Sequence, residues 1–96
     1  MQQAALYSML NASGFSVQVF EDYPSFFGNW RIILKRGQHT YEVVSDNREG
    51  WLSLWRLLSD QGQKLFEIES TRLTQEQQLI QIAQWLEAVT QIDLNM

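Results

Sequence analysis

The chain opens with a hydrophobic pattern that is typical of an amphipathic helix. Leu6, Met9 and Leu10 recur at helical spacing, so we predict a helix over residues 3–13. Gly14 follows at the position where a left-handed C-cap residue would end that helix.

A second helix is predicted near the other end, over residues 75–91. Thr74 is a suitable N-cap, and Gln77 stands three residues later as its capping-box partner. The tail from Asp93 to Met96 is expected to fray. The apolar stripe of this helix consists of Leu79, Ile82, Ala83, Leu86 and Val89.

Between the helices, residues 16–70 show the shorter hydrophobic period of β-strands. Residues 16–20 alternate with period two and predict a first strand, which a loop from Glu21 to Gly28 follows. Residues 65–70 predict a last strand. Its Phe66 and Ile68 point to one side, and Leu65, Glu67 and Glu69 point to the other.

The clearest predicted hairpin joins residues 29–35 to residues 39–45. With Arg36 and Gly37 as a two-residue loop, Ile32 lies opposite Tyr41 and Trp30 lies opposite Val43. On the other face the same register places Arg31 opposite Glu42. Apolar pairs on one face and an ion pair on the other favour this register.

Residues 50–58 allow two interpretations. Trp51, Leu54, Trp55 and Leu58 fit a helical stripe, but the segment also suits a strand that is covered on both faces. We favour the strand, because turn-forming segments flank it at the spacing of a meander. The helix remains the alternative.

The order of elements predicts one α+β domain over residues 1–96, with an antiparallel meander of about five strands between an N-terminal and a C-terminal helix. Both helices need a surface on which to bury their apolar stripes. We expect this surface to be the sheet face that carries Trp30, Ile32, Tyr41, Val43, Leu52 and Leu54.

Composition narrows the function classes. The net charge is −4, from 7 basic and 11 acidic side chains, whereas binding to nucleic acid usually requires a basic excess. The absence of cysteine excludes disulfides and thiolate-bound metals. We find no signal peptide and no apolar run of the ~20 residues that cross a bilayer, so we expect a cytoplasmic protein that does not bind membranes.

No catalytic motif is visible. His39 is the only histidine, and it lies at a predicted hairpin tip without an orienting partner nearby. Glu67 and Glu69 share a strand face, where alternating acids commonly form a solvated rim. We therefore predict that the chain is not an enzyme and holds neither a cofactor nor a metal. Arg31, Lys35 and Arg36 form a local basic group, but the overall charge argues against a nucleic-acid partner.

The aromatic residues give a stronger signal. In a meander, Trp51 and Trp55 share a face with Ile33 and Val44, opposite the face expected to bind the helices. An apolar patch of this size usually marks an interaction surface. The alternative is a second small core, covered by a helix or by the loop from Tyr23 to Phe27. If residues 50–58 are helical, the patch does not exist.

The chain resembles two groups of small bacterial proteins, the YbjN-like family and the type III secretion chaperones. The segments that resemble these proteins are Leu10-x-x-x-Gly14-Phe15, Gly37-x-x-x-Tyr41-x-Val43 and Gly50-Trp51-Leu52-x-Leu54. This chain lacks their additional helix within the sheet region. The resemblance implies a binding or chaperone-like role through the sheet, without catalytic residues.

These observations predict a bacterial protein-interaction or adaptor module that binds a protein partner, or itself as a dimer, through Ile33, Val44, Trp51 and Trp55. The alternative is an immunity-type or antitoxin-type inhibitor of a basic enzyme or toxin, steered by charge. Its acidic rim would consist of Glu21, Asp22, Glu67 and Glu69.

Overall fold

The structure is a computed structural model that describes residues 2–94. Two helices enclose five strands in the order of the chain. Their bounds are α1 (Gln3–Ala12), β1 (Ser16–Tyr23), β2 (Asn29–Arg36), β3 (His39–Asp46), β4 (Trp51–Leu57), β5 (Gly62–Glu69) and α2 (Gln75–Leu94).

All five strands form one sheet in the order β1-β2-β3-β4-β5, and every neighbouring pair is antiparallel. The predicted fold class, an α+β meander with a helix at each end, is confirmed. Trp51–Leu57 is a strand, so the helical interpretation of this segment is wrong.

The β2–β3 hairpin has a different register from the predicted one. Gly37 and Gln38 form its loop, so Ile32 lies opposite Val43 rather than Tyr41, and Trp30 lies opposite Ser45. Gly37 has φ 61° and occupies the first loop position, where one common hairpin turn requires a positive φ. The predicted loop, Arg36 and Gly37, has it in the second position. The shift moves each partner by two residues, so the prediction of which residues share a face is unaffected.

Both helices pack on one face of the sheet, where α1 contacts β1 and α2 contacts β4. The helices also contact each other. The predicted core face is confirmed, because all six of its residues are buried: Trp30, Ile32, Tyr41, Val43, Leu52 and Leu54. They form one hydrophobic cluster with Leu6, Leu10, Phe15, Ile82, Trp85, Leu86 and Val89.

The ends of the helices follow from local chemistry. Gly14, at φ 82°, follows α1, and the next N–H, from Phe15, donates to the carbonyl oxygen of Leu10. At the start of α2, Thr74 and Gln77 form the predicted capping box. Each side chain accepts a hydrogen bond from the backbone N–H of the other residue.

Helix α2 continues to Leu94, three residues beyond its predicted end. The expected fraying of the tail is therefore wrong for Asp93 and Leu94, which belong to the helix. The remainder of that tail, residues 95–96, lies outside the described residues.

Strand β5 begins at Gly62 and has a bulge near its middle. The register shifts opposite Leu54 and Trp55, so Leu65 has no direct partner and packs against the hydrophobic core. The prediction that Leu65 shares the face of Glu67 and Glu69 is therefore wrong.

Candidate functional site

The sheet face opposite the helices carries the four residues that we predicted as an interaction surface. We call it the open face. Cross-strand pairs place Val44 opposite Arg31 and Ser53, and Trp55 opposite Glu42, which in turn pairs with Ile33. The four predicted residues thus lie together on neighbouring strands β2, β3 and β4, and both helices pack elsewhere. They are Ile33, Val44, Trp51 and Trp55.

Trp51 is the most exposed of these four residues. It begins β4, and 43% of its surface is accessible to solvent. Across the strands it lies opposite Asp46 of β3 and opposite Glu69 of β5. Two carboxylates therefore flank an exposed indole ring on either side.

Trp55 is half-buried and held in place by its neighbours. Its indole Nε1–H donates to the Ser53 Oγ at 2.9 Å. The Lys64 ammonium lies 5.7 Å from the ring centroid and 3.1 Å from a carboxylate oxygen of Glu67. A cation over the ring and a carboxylate beside that cation form a compact cation–π arrangement.

A groove of about 450 Å³ runs along the open face from Trp51 past Trp55 to Leu57. Its apolar lining comes from the tryptophans together with Val44 and Leu57, and three carboxylates stand at its margins. The acidic residues are Glu42, Asp46 and Glu67.

Arg31 links the acidic residues at the β1 side of the open face. Its Nη2 lies 2.9 Å from the Glu21 Oε1, and its Nη1 bonds to Glu42. The hydroxyl of Tyr23 donates to the second oxygen of Glu21. The hydrogen bond from Arg31, and then that from Tyr23, lower the pKa of Glu21. The predicted Arg31–Glu42 pair exists, but as a diagonal contact, since Val44 is the direct partner of Arg31.

The predicted acidic rim does not form one cluster. Glu21 and Asp22 belong to β1 rather than to a loop, and their side chains point to opposite faces, because Asp22 pairs with buried Trp30. Glu67 and Glu69 lie on the open face at the other edge of the sheet. Four strand spacings, roughly 19 Å, separate the two edges.

The predicted basic group is also divided between the faces. Arg36 is the last residue of β2, not a turn residue, and its Nη1 donates to the Thr90 Oγ1 of α2 at 3.0 Å. Its guanidinium lies 5.6 Å from the ring centroid of Phe15. Arg31 and Lys35 lie on the open face. Arg36 thus helps to attach α2 to the sheet and is separated from Arg31 and Lys35, which lie on the opposite face.

A buried polar cluster on the helix face was not predicted. Arg56 donates through Nη2 to the Asp93 Oδ1 at 2.6 Å and to the Tyr41 hydroxyl at 2.9 Å. The Tyr41 hydroxyl donates to the other oxygen of Asp93. His39 Nε2 lies 3.9 Å from Asp93. The cluster holds the last turn of α2 against β3 and β4, which is a structural role.

The ionisation of this cluster follows from its contacts. Burial alone would raise the pKa of Asp93, but the hydrogen bond from Tyr41 and the charge of Arg56 outweigh it, so the pKa lies below its ordinary value. Burial, and then the bond to Asp93, raise the pKa of Tyr41. Asp93 is therefore charged and Tyr41 neutral at neutral pH.

The loop between β1 and β2 covers only one end of the open face. Phe26 lines a cavity of about 350 Å³ with Trp30, Arg31 and Val44. Phe27 has φ 59°, an unusual conformation for a bulky residue. Trp51 does not line this cavity and remains 43% exposed, so the expected alternative, a second core covered by this loop, does not extend to Trp51.

Two further observations concern other kinds of site. Within residues 2–94, no three side chains of histidine, cysteine, aspartate or glutamate converge as metal ligands would. No helix in that range combines the length and apolar character that a bilayer crossing needs.

Comparison of the chain with protein-family models, with curated proteins and with solved structures gives no match. The choice of the open face as the candidate site therefore rests on its geometry alone.

Proposed function

We propose that the chain is a non-catalytic protein-interaction module that binds a protein partner through the open face. The observation that carries this proposal is the exposure of Trp51 on a sheet whose two helices pack on the opposite face. Tryptophan is among the residues most enriched at the energetic centres of interfaces. A half-exposed indole ring beside an apolar groove therefore favours a binding role.

The shape of the groove supports the same proposal. Trp55 is held by Ser53 and Lys64, so one wall of the groove is ordered before any partner binds. An ordered surface loses little conformational entropy on binding. Val44 provides apolar area between the rings, Leu57 extends it beyond Trp55, and the acidic groups of the lining provide orientation.

The charge of the open face favours a different protein over a second copy of this chain. Acidic side chains outnumber basic ones on this face, so two copies stacked face to face would bring like charges together. The acidic residues are Glu21, Glu42, Asp46, Glu67 and Glu69, and the basic residues on the same face are Arg31, Lys35 and Lys64.

The same charge supports the second candidate function, an inhibitor of a basic enzyme or toxin. In that role the acidic groups would steer association, and the affinity would fall steeply as salt is added. An adaptor that relies on Trp51 and the apolar groove would lose much less affinity. Titration of a partner at two salt concentrations distinguishes the two functions.

The resemblance to YbjN-like proteins and type III secretion chaperones supports the interaction role. It implies binding through the sheet, in the cytoplasm of a bacterium. In this chain the five strands run without an intervening helix, so the open face is continuous from β1 to β5.

Site-specific photo-crosslinking in cells that naturally produce the protein tests this proposal. A benzophenone amino acid replaces Trp51 in one variant and Ile80, which is exposed on α2, in the matched control. We expect a discrete protein adduct from position 51 alone. The adduct is identified, and the purified partner is titrated against the wild-type chain and Trp51→Ala.

Three results would overturn the proposal. One is the absence of a discrete adduct from position 51. Another is the same set of adducts from positions 51 and 80, which would indicate random collisions. The third is equal affinity of the purified partner for the wild-type chain and a folded Trp51→Ala variant, which would place the contact elsewhere.

A further inference from the structure

The two tryptophans of β4 have similar cross-strand surroundings but differ in one respect. Trp55 lies between Glu42 of β3 and Lys64 of β5, and the Lys64 ammonium lies over its ring. Trp51 lies between Asp46 of β3 and Glu69 of β5. Within residues 2–94, no cation lies over the Trp51 ring.

We propose that Trp51, Asp46 and Glu69 together bind a basic side chain, preferentially arginine, that the protein partner supplies. This inference rests on the proposed function and specifies the chemistry of the partner. The Lys64 site shows, within the same sheet, how such a cation binds: over an indole ring, with a carboxylate at 3.1 Å.

Both carboxylates beside Trp51 have oxygen atoms that can accept further bonds. Asp46 uses Oδ1 to accept the backbone N–H groups of Arg48 and Glu49, at 3.1 Å and 3.0 Å. Its Oδ2 accepts none within the described chain. Glu69 is exposed and makes no ion pair there, although Arg72 lines a shallow groove beside it. Two acidic groups thus flank the ring without an internal counter-charge.

Arginine fits this arrangement better than lysine does. A guanidinium group is planar, so it can stack on the indole ring while its edge donates hydrogen bonds to a carboxylate. The groove continues from Trp51 along Val44 to Leu57, and it can accept apolar side chains that neighbour the arginine in the partner. The partner segment is therefore expected to carry an arginine beside apolar residues.

Titration with a small probe tests this site without the natural partner. The probe is N-acetyl-arginine amide, and its control is the citrulline derivative, which has nearly the same shape but no charge. The signals are the indole N–H resonances of the ¹⁵N-labelled protein, assigned by the loss of one resonance in Trp51→Phe.

We expect the arginine probe to shift the Trp51 resonance with a saturable, weak affinity, and to shift the Trp55 resonance less, because Lys64 already covers that ring. The citrulline probe should leave both resonances unchanged. Glu69→Gln should weaken binding of the probe about threefold, which is roughly the effect of one exposed charge contact. Glu49→Gln, an exposed acidic residue of the neighbouring turn, should leave the affinity unchanged.

Equal shifts with arginine and citrulline, equal responses of the two indoles, or unchanged affinity in Glu69→Gln would each overturn the arginine site. None of these results would contradict the proposed function, since a partner without a basic contact could still crosslink at position 51. Conversely, specific probe binding with no crosslinked partner would support the cation site and contradict the interaction role.

Discussion

The Arg56 guanidinium and the Asp93 carboxylate lie 2.6 Å apart, although 37 residues separate them in the chain. Asp93 belongs to the last turn of α2, where the helix dipole disfavours a negative charge. Its side chain is only 5% exposed, so the charge also lacks solvation by water. Arg56 and the Tyr41 hydroxyl replace that water and attach the helix to the sheet.

We predict that Asp93→Asn lowers the free energy of unfolding at pH 7 by about 2 kcal/mol, the usual effect of losing buried hydrogen bonds to a charged group. The pKa of Asp93 is lower in the folded chain than in the unfolded chain. The unfolded state therefore binds more protons between the two values, and stability falls as the pH falls from about 4 through the folded pKa. Urea denaturation at pH 7 and at about pH 3 measures both effects.

The matched control is Glu87→Gln, which changes an exposed carboxylate on the same helix. This variant should keep the stability and the acid sensitivity of the wild-type chain. Asp93→Asn should lose less stability on acidification than the wild-type chain does. An unchanged acid response in Asp93→Asn would show that other carboxylates dominate it.

Trp30 and Trp51 should respond differently to the same truncation. Trp30 is 2% exposed in the core, so Trp30→Ala is expected to lower the free energy of unfolding by about 3–5 kcal/mol. Trp51→Ala removes a half-exposed ring and should cost less than about 1 kcal/mol. Urea denaturation compares the two variants. Unfolding of Trp51→Ala would show that this ring is part of the core, contrary to the proposed function.

Gly50 and Gly37 offer a second matched comparison, because both have a positive φ, 81° and 61°. A Cβ atom at Gly50 would lie 2.5 Å from the Thr71 Oγ1, whereas a Cβ at Gly37 meets no atom within 4 Å. Gly37→Ala should therefore lower the free energy of unfolding by about 1 kcal/mol, from backbone strain alone. Gly50→Ala should lower it by about 3 kcal/mol, because crowding adds to the strain. Thermal or urea denaturation of the two variants measures the difference; equal losses would contradict the crowding at Gly50.

Most of the fold could be predicted because each strand pairs with its neighbour in sequence. Alternating apolar positions and turn residues then determine both the strands and their faces. The hairpin register could not be predicted from Gly37 alone, because a glycine can occupy either position of a two-residue turn. The predicted and observed registers differ by two residues, so Trp30 and Ile32 lie on the core face in both.

The candidate site was only partly predictable. Trp51 and Trp55 were placed on the right face by strand alternation, but the contacts that distinguish them depend on β5. The bulge at Leu65 sets which residue lies beside Trp55, and the sequence shows no signal for it. Asp93 was missed as a buried group, although an acidic residue in the last turn of a helix is unusual enough to have indicated a specific partner.

The pairing of every strand with the preceding one also has a consequence for folding. Sheet contacts are local in the chain, which favours rapid folding, and each hairpin can form as soon as its second strand has left the ribosome. Contacts between residues far apart in the chain form when α2 packs on the sheet, as Arg36 does with Thr90. Until α2 has been synthesised, the nascent sheet exposes part of its core face as well as its open face. During that interval the growing chain is expected to depend most on cellular chaperones.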